Sequence, residues 1–333
     1  MLPIVPRHSL AGNATHEENS MSLTRRDFLT TSAAAAAAAT LGRPVIAGAW
    51  QGQGPPPTPT FTPIRRNVGY FLMRGGTIGY LVNPGAVVVV DSQFPAEATA
   101  CLTGLKERSS GRGVDFLINT HHHGDHTQGN ISFKGEAKKV VAHAKADEHM
   151  RQPPGQTAPT TEQLYPDTTF TKTWSADVGD EKVSAKYYGR AHTSGDAAIT
   201  FERANVVRMG DLMFNQRHPV VDRAAGATLR NWMTVLDGAM KDHAADTVYI
   251  FGHANTTLGP TGLIGSTAEI TRFRDYLGAL LAFVEAQHKA GKTRDEILAM
   301  RDPLPGFENF GRFGQASPRD SLTCAYEEVT TGS

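Results

Sequence analysis

Apolar positions first recur along this chain with the period of strands. Val68 to Arg74, Thr77 to Asn83 and Ala86 to Asp91 are short runs rich in aromatic and β-branched residues. Gly75-Gly76 and Pro84-Gly85 between them have the composition of hairpin turns, so the three runs predict an antiparallel meander. Pro95 to Arg108 has helical composition, and Val114 to Asn119 reads as a buried strand running into a histidine cluster. Lys138 to Ala142 predicts a further strand, Ala144 to Arg151 a short helix, and Pro153 to Thr173, rich in proline and threonine, a long loop. Two or three strands alternate between Glu181 and Gly210. Leu229 to Lys241 is patterned as a helix around Trp232, Thr247 to Phe251 as a buried strand, and Thr267 to Ala290 as the longest helix. No internal repeat of fixed period is present. Two strand-rich halves, each closed by helices, suit a four-layer αβ/βα sandwich, although composition alone does not separate that from a doubly wound sheet.

Upstream of the meander the pattern changes. Gln51 to Pro63 carries five prolines and two glycines and cannot hold a helix or a central strand, so residues 50–63 read as a linker and 64–333 as the folded domain. Before it, Thr24-Arg25-Arg26-Asp27-Phe28-Leu29 precedes an alanine run from Ala33 to Ala39, and Ala47-Gly48-Ala49 supplies small residues of the A-x-A kind. This order resembles a twin-arginine (Tat) signal peptide within residues 1–49, with cleavage after Ala49. Met1 to Ser20 look like neither signal nor domain, and Met21 is an alternative start. Thr40, Gly42, Arg43 and Pro44 interrupt the apolar run well short of the roughly 20 residues that a spanning helix needs. The expectation is an exported protein, periplasmic or secreted, with no stable membrane span once the signal is removed.

Composition narrows the class of partner. Hydrophobic residues make up 40% of the chain, enough for a sizeable core, which excludes intrinsic disorder and fibrous repeats. Thirty-three Lys and Arg balance 33 Asp and Glu, so no basic footprint for nucleic acid exists, and a small-molecule substrate is expected instead. Cys101 and Cys324 exclude a cysteine-only zinc site and leave a single disulfide between them open. Nothing in the sequence indicates an oligomeric state.

The chemistry concentrates in His121-His122-His123-Gly124-Asp125-His126, directly after the strand ending at Asn119. Side chains two apart in an extended segment project to the same side, so His121 and His123 can share one ion, and a turn at Gly124 lets Asp125 and His126 face a second. Imidazole and carboxylate suit zinc, with iron or manganese also compatible. His192 in Arg190-Ala191-His192-Thr193, Asp211 after Gly210 and His253 after Gly252 each sit at the end of an expected strand, where side chains converge on one sheet edge.

This ordered set, from Asp91 through the histidine cluster to His253, resembles the metallo-β-lactamase superfamily, whose fold is the four-layer αβ/βα sandwich. The resemblance implies that His121, His123 and His192 bind one metal, Asp125, His126 and His253 a second, and that Asp211 bridges two zinc ions. His122 falls at a variable position of the motif and receives no metal; His218 and His243 are alternatives to His192 and His253. An aspartate at the position of Asp91 supports the metal-binding loop by hydrogen bonds in this family. Asp196 either plays a similar part or caps a turn, and His218 lies in a loop that either contacts substrate or faces solvent. One of Tyr187 and Tyr188 is expected in the core. The family's β-lactamases usually carry cysteine or serine where this chain has Asp211, whereas glyoxalase II and the acyl-homoserine lactonases carry aspartate. The resemblance therefore implies a hydroxide held between two metal ions that attacks an ester, lactone or thioester carbonyl, with Asp125 and Asp211 as catalytic carboxylates. β-Lactamase, phosphodiesterase or sulfatase, iron-dependent sulfur dioxygenase and non-catalytic metal binding are the alternatives.

Replacing the arginine pair, Arg25→Lys with Arg26→Lys, is expected to trap a longer precursor inside the cell. The ratio of precursor to mature chain on an immunoblot of cell fractions measures this, and an unchanged ratio would reject the signal assignment.

Overall fold

The computed structural model describes residues 58–152 and 162–332; the signal, most of the linker and part of the Pro/Thr-rich segment lie outside them. The three β-branched runs of the meander become β2 (Val68–Leu72), β3 (Ile78–Val82) and β4 (Val87–Val90), preceded by β1 (Thr60–Arg65), each antiparallel to the next. The chain crosses over through α1 (Pro95–Arg108) and adds β5 (Val114–Asn119), β6 (Ala137–His143) and β7 (Thr168–Phe170), all parallel. Parallel neighbours require such a crossover, and α2 (Gly124–Thr127) and α3 (Ala144–Met150) occupy the later ones.

A second sheet has the order β13-β12-β11-β10-β9-β8. It comprises β8 (Thr173–Val178), β9 (Glu181–Tyr187), β10 (Ala197–Phe201), β11 (Val206–Asn215), β12 (Val248–Ala254) and β13 (Ile264–Gly265). Only β11 and β12 run parallel, joined through α4 (Leu229–Lys241). Beyond β13 come α5 (Thr267–Lys289), α6 (Arg294–Leu298) and α7 (Ser321–Thr331).

The alternation of side chains sorts the apolar residues into three clusters, and these define four layers. In β4, a run of four buried valines, Val87 and Val89 pack with Cys101 and Leu105 of α1, whereas Val88 and Val90 pack with Ile199 and Ile250 of the second sheet. Tyr249 and Phe251 of β12 point the other way, into a third cluster with Trp232 of α4, Phe273 and Leu277 of α5 and Leu322 of α7. The order is helix, sheet, sheet, helices, the αβ/βα sandwich expected from the sequence. Trp232 is fully buried and donates its indole N–H to the Leu212 carbonyl at 3.0 Å, satisfying the one polar atom of the ring.

The main departures from expectation fall at sheet edges. β1 begins at Thr60, inside the segment read as linker; Pro63 is tolerated because β1 is an edge strand with a register shift between Pro63 and Arg65. β7 and β8 lie within or just after the segment expected as a long loop, and both are short or polar strands at the edges of their sheets. Of that loop, residues 153–161 lie outside the described residues.

Cys101 and Cys324 are free and buried in different layers, one in α1 and the other in α7, so the disulfide left open by the sequence does not form. Burial pushes both thiols up, Cys324 to about 12. A disulfide-exchange reagent is therefore expected to leave both thiols of the native protein unreacted for minutes and to titrate two per chain once denaturant is added without reductant. Fewer than two in denaturant would mean that a bridge exists.

Candidate metal centre

The site forms where the two sheets meet along one edge. β5 ends at Asn119 and the backbone bends at Thr120 and His121, which brings His121 and His123 into one group of ligand atoms while His122 faces His123 and Asp222. The chain then turns into α2, which carries Asp125 and His126. From the second sheet come His192 after β9, Asp211 within β11 and His253 within β12. Close backbone approach makes this convergence feasible. A Cβ on Gly252 would lie 2.0 Å from Oδ1 of Asp211, and one on Gly76 would lie 2.3 Å from the His126 ring, so glycine is required at both.

Two separate groups of potential ligand atoms result. His121, His123, His192 and Asp211 bring nitrogen and oxygen atoms within 4.8 Å of one another, as do Asp125, His126 and His253; His122, His123 and Asp222 form a further set that shares His123 with the first. Asp211 reaches both groups: its Oδ1 is 3.0 Å from His126 Nε2, and its Oδ2 is 3.3 Å from His253 Nε2 and 3.5 Å from His192 Nε2. Asp125 Oδ2 lies 3.1 Å from His253 Nε2.

Hydrogen bonds on the far side of each ring decide which nitrogen faces inward. His126 donates from Nδ1 to Asp91 at 2.9 Å, and His192 from Nδ1 to the Val220 carbonyl at 2.8 Å. His121 places Nδ1 3.1 Å from the Thr120 hydroxyl, and His123 donates from Nε2 to Asp222 at 2.8 Å. The opposite nitrogen of each ring then carries a lone pair aimed at the centre. His121 Nε2, His126 Nε2 and Asp211 Oδ1 are buried and make no hydrogen bond. Buried polar atoms without partners are costly, and a bound cation would satisfy all three, so the residues fit divalent metal ions.

The local electrostatics agree. Burial and repulsion from His126 push the His121 imidazole well below its ordinary range, and burial and His192 lower His123 to about 4. Burial opposes a charge on His126, but the Asp211, Asp125 and Asp91 carboxylates outweigh it and hold that ring well above its usual value. Burial would likewise raise Asp211, yet His253 and His126 hold it well below the carboxylate range. The site thus keeps its carboxylates charged and collects positive charge between them.

Asp91 lies beneath the histidine loop. It accepts from the Thr120 N–H at 2.8 Å, from the Thr120 hydroxyl, from His126 Nδ1 and, at 3.0 Å, from Arg208 Nη2. These contacts hold Asp91 in a left-handed conformation, φ 66°, that a non-glycine residue seldom adopts. Asp196 caps a turn, accepting from the Thr193 N–H and hydroxyl at 2.7 Å. His218 lies apart from both groups: it stacks on Phe313, accepts from the Tyr276 hydroxyl at 2.6 Å and donates to the Gly311 carbonyl, leaving neither ring nitrogen for substrate. His243 bonds Thr200 and the Ala239 carbonyl and belongs to neither group. Tyr187 stacks on His143, and Tyr188 packs at the border of the core.

Sequence reasoning missed Arg208, Asp222 and Arg319. Arg208 had a signal, a cation sharing a strand face with buried Val206, which demands a buried anion. Asp222 and Arg319 had none. Arg319 Nη2 lies 3.1 Å from Asp222 Oδ2 and 2.6 Å from His123 Nε2. His122 turns toward the same carboxylate, 3.9 Å away, and its ring is held down to about 2 by burial and by His123.

Asp91→Ala would leave Arg208 charged, fully buried and without its carboxylate. The expected cost is about 3–5 kcal/mol of folding stability, read from denaturant unfolding of the metal-free protein. A loss under about 1 kcal/mol would mean that Arg208 finds another partner.

Known proteins share these features. The profile of the "Metallo-beta-lactamase superfamily" matches residues 73–305. That of the "TAT (twin-arginine translocation) pathway signal sequence" matches residues 22–42, which points to export across a membrane. Among the described residues no helix is long and apolar enough to cross a membrane. A hydroxyacylglutathione hydrolase of Methylococcus capsulatus is 32% identical over 130 residues, 39% of this chain and 44% of that protein. A protein of the same name from Brucella anthropi is 31% identical over 84 residues, 25% of this chain and 32% of that one. The chain thus spans less than half the length of these curated relatives. A metallo-β-lactamase from Pontibacter korlensis superposes with a TM-score of 0.54 at 16% identity, covering 66% of this chain and 99% of that one. A double mutant of the sec-alkyl sulfatase PisA1 gives 0.59 at 16% identity, covering 82% and 50%. At such identities the solved structures share the fold. The layered architecture, the His/Asp groups and the profile match agree: this chain belongs to the metallo-β-lactamase superfamily.

Proposed function

We propose that this chain is an exported dinuclear zinc hydrolase that cleaves an ester, lactone or thioester. The observation that carries the reading is the position of the Asp211 carboxylate, within 3.5 Å of nitrogens from both ligand groups. A carboxylate placed in this way would be available to two ions at once. His121, His123 and His192 would hold one ion and Asp125, His126 and His253 the other, in a nitrogen-and-oxygen donor set suited to zinc. Two such ions would lower the pKa of a water and polarise a scissile carbonyl.

The protein's own groups supply orientation and proton handling. The bonds from Asp91, Asp222, Thr120 and Val220 lock four rings, so the donors need no rearrangement to receive charge. Asp125, 30% exposed and held ionised by His126 and His253 against the effect of burial, is the most accessible carboxylate of the site and would take a proton from the attacking water and pass it to the leaving atom. Aspartate at position 211, where lactamases of the family carry cysteine or serine, favours ester, lactone or thioester over β-lactam. The curated relatives, named as hydrolases of hydroxyacylglutathione, favour an acyl substrate as well. Export favours a substrate met outside the cytoplasm over a strictly cytosolic metabolite.

Elemental analysis of the purified mature protein is expected to find close to two zinc ions per chain, and a reproducible value near one would overturn the dinuclear reading. Asp211→Ala is expected to lower turnover by about 10²- to 10⁴-fold while leaving the far-ultraviolet spectrum unchanged. A panel of lactones, thioesters, aryl esters, β-lactams, phosphodiesters and alkyl sulfates tests the substrate class. Efficient β-lactam or sulfate ester hydrolysis with none of the carbonyl esters cleaved would reject it.

A further inference from the structure

We infer that the segment Pro318–Glu328 is a positioning element of the metal centre, acting through the loop Pro219–Thr228 to fix the outward nitrogens of His123 and His192. The inference rests on reading these two histidines as metal ligands. It goes beyond that reading because the segment lies outside residues 73–305, the stretch that matches the superfamily profile.

The loop supplies both contacts that orient these rings. The Val220 carbonyl accepts from His192 Nδ1 and the Asp222 carboxylate from His123 Nε2, each at 2.8 Å. The loop has no strand neighbour of its own in either sheet. Instead, Val220 pairs with Asp320 in an isolated antiparallel bridge, and the Val221 N–H donates to the Arg319 carbonyl at 3.0 Å. At the loop's far end Glu328 of α7, with no exposed surface, accepts from the Leu229 and Arg230 N–H groups at 2.7 and 2.8 Å and from the Thr228 hydroxyl. These are the orphan donors of the first turn of α4, so one carboxylate both caps that helix and closes the loop onto α7. The loop is therefore held at both ends by this segment, and along its length it bonds the His192 stretch, through Asp222 N–H to the His192 carbonyl, Ser194 N–H to the Ala225 carbonyl and Thr228 N–H to the Ala191 carbonyl.

Arg319 completes the arrangement. Its Nη2 is close to both Asp222 Oδ2 and His123 Nε2, but a ring that gives Nδ1 to a metal keeps its hydrogen on Nε2 and has no lone pair there to accept. With metal on Nδ1, the His123 N–H and the guanidinium both donate to Asp222. The carboxylate then holds the ring in one rotation, and the arginine holds the carboxylate. His121 and His126 are oriented from elsewhere, by Thr120 and Asp91, so a defect in this segment acts on one ion more than on the other.

Competition between the metal-free protein and a chelating indicator for zinc, with the visible absorption of the cobalt form as a second readout, tests the inference. Asp222→Ala is expected to weaken one of the two metal equivalents by about 10- to 100-fold, leave the other within a few-fold, and change the cobalt spectrum. Asp222→Asn, which keeps an acceptor oxygen, is expected to restore most of that loss. Arg319→Met is expected to weaken the same equivalent by several-fold, and it carries the test if Asp222→Ala fails to fold. Wild-type affinity for both equivalents in these variants would overturn the inference, as would a parallel loss of both that Asn does not rescue. A wild-type protein that takes up no metal would overturn the metal-centre reading itself, a distinct result.

Discussion

A carboxylate sealed from water, that of Asp91, is the constraint on which the rest depends. It stands at the end of β4 in a strained backbone conformation, and its charge is compensated inside the protein by Arg208 from β11 of the opposite sheet. Removing such a charge from water is costly unless donors surround it, and here the donors are an arginine, a backbone N–H, a hydroxyl and an imidazole. The ion pair pins one sheet to the other, while the hydroxyl and imidazole belong to the loop that carries the histidine cluster. Packing of the sandwich and geometry of the site are therefore one problem with one solution.

From that point the two ligand groups diverge in how they are supported. The group of His126 leans on Asp91 and on the inter-sheet core. The group of His123 and His192 leans on the largely buried loop Pro219–Thr228 and on α7, an element packed in the helical layer over the second sheet. Asp211, between them, comes from β11, whose register breaks between Arg208 and Gly210 and again before Phe214. Those irregularities let an interior strand aim a charged side chain at the sheet edge without burying it among the valines.

Much of this was legible in the residues. Period-2 runs in β2 to β6 and the composition of α1 and α4 mark elements whose faces are fully committed to a core, and their bounds follow the pattern closely. β1, β7, β8 and β13 were hidden because edge strands need little apolar character and accept proline. The histidines and aspartates of both groups could be named because spacing within one short segment, and position after glycine at strand ends, are local signals. Asp222, Arg319 and Glu328 could not, because their roles come from contacts made across more than ninety residues of chain. The fate of His218 was unreadable for the same reason: its aromatic neighbours Tyr276 and Phe313 are distant in the chain.

The placement of Arg319 bears on when the centre is completed. During synthesis His121 to His126 leave the ribosome long before Arg319 and α7, so the full set of donors and their supports exists only after nearly all of the described chain has been made. The order of the chain therefore leaves the histidine cluster without the groups that orient His123 and His192 until the last helix is in place.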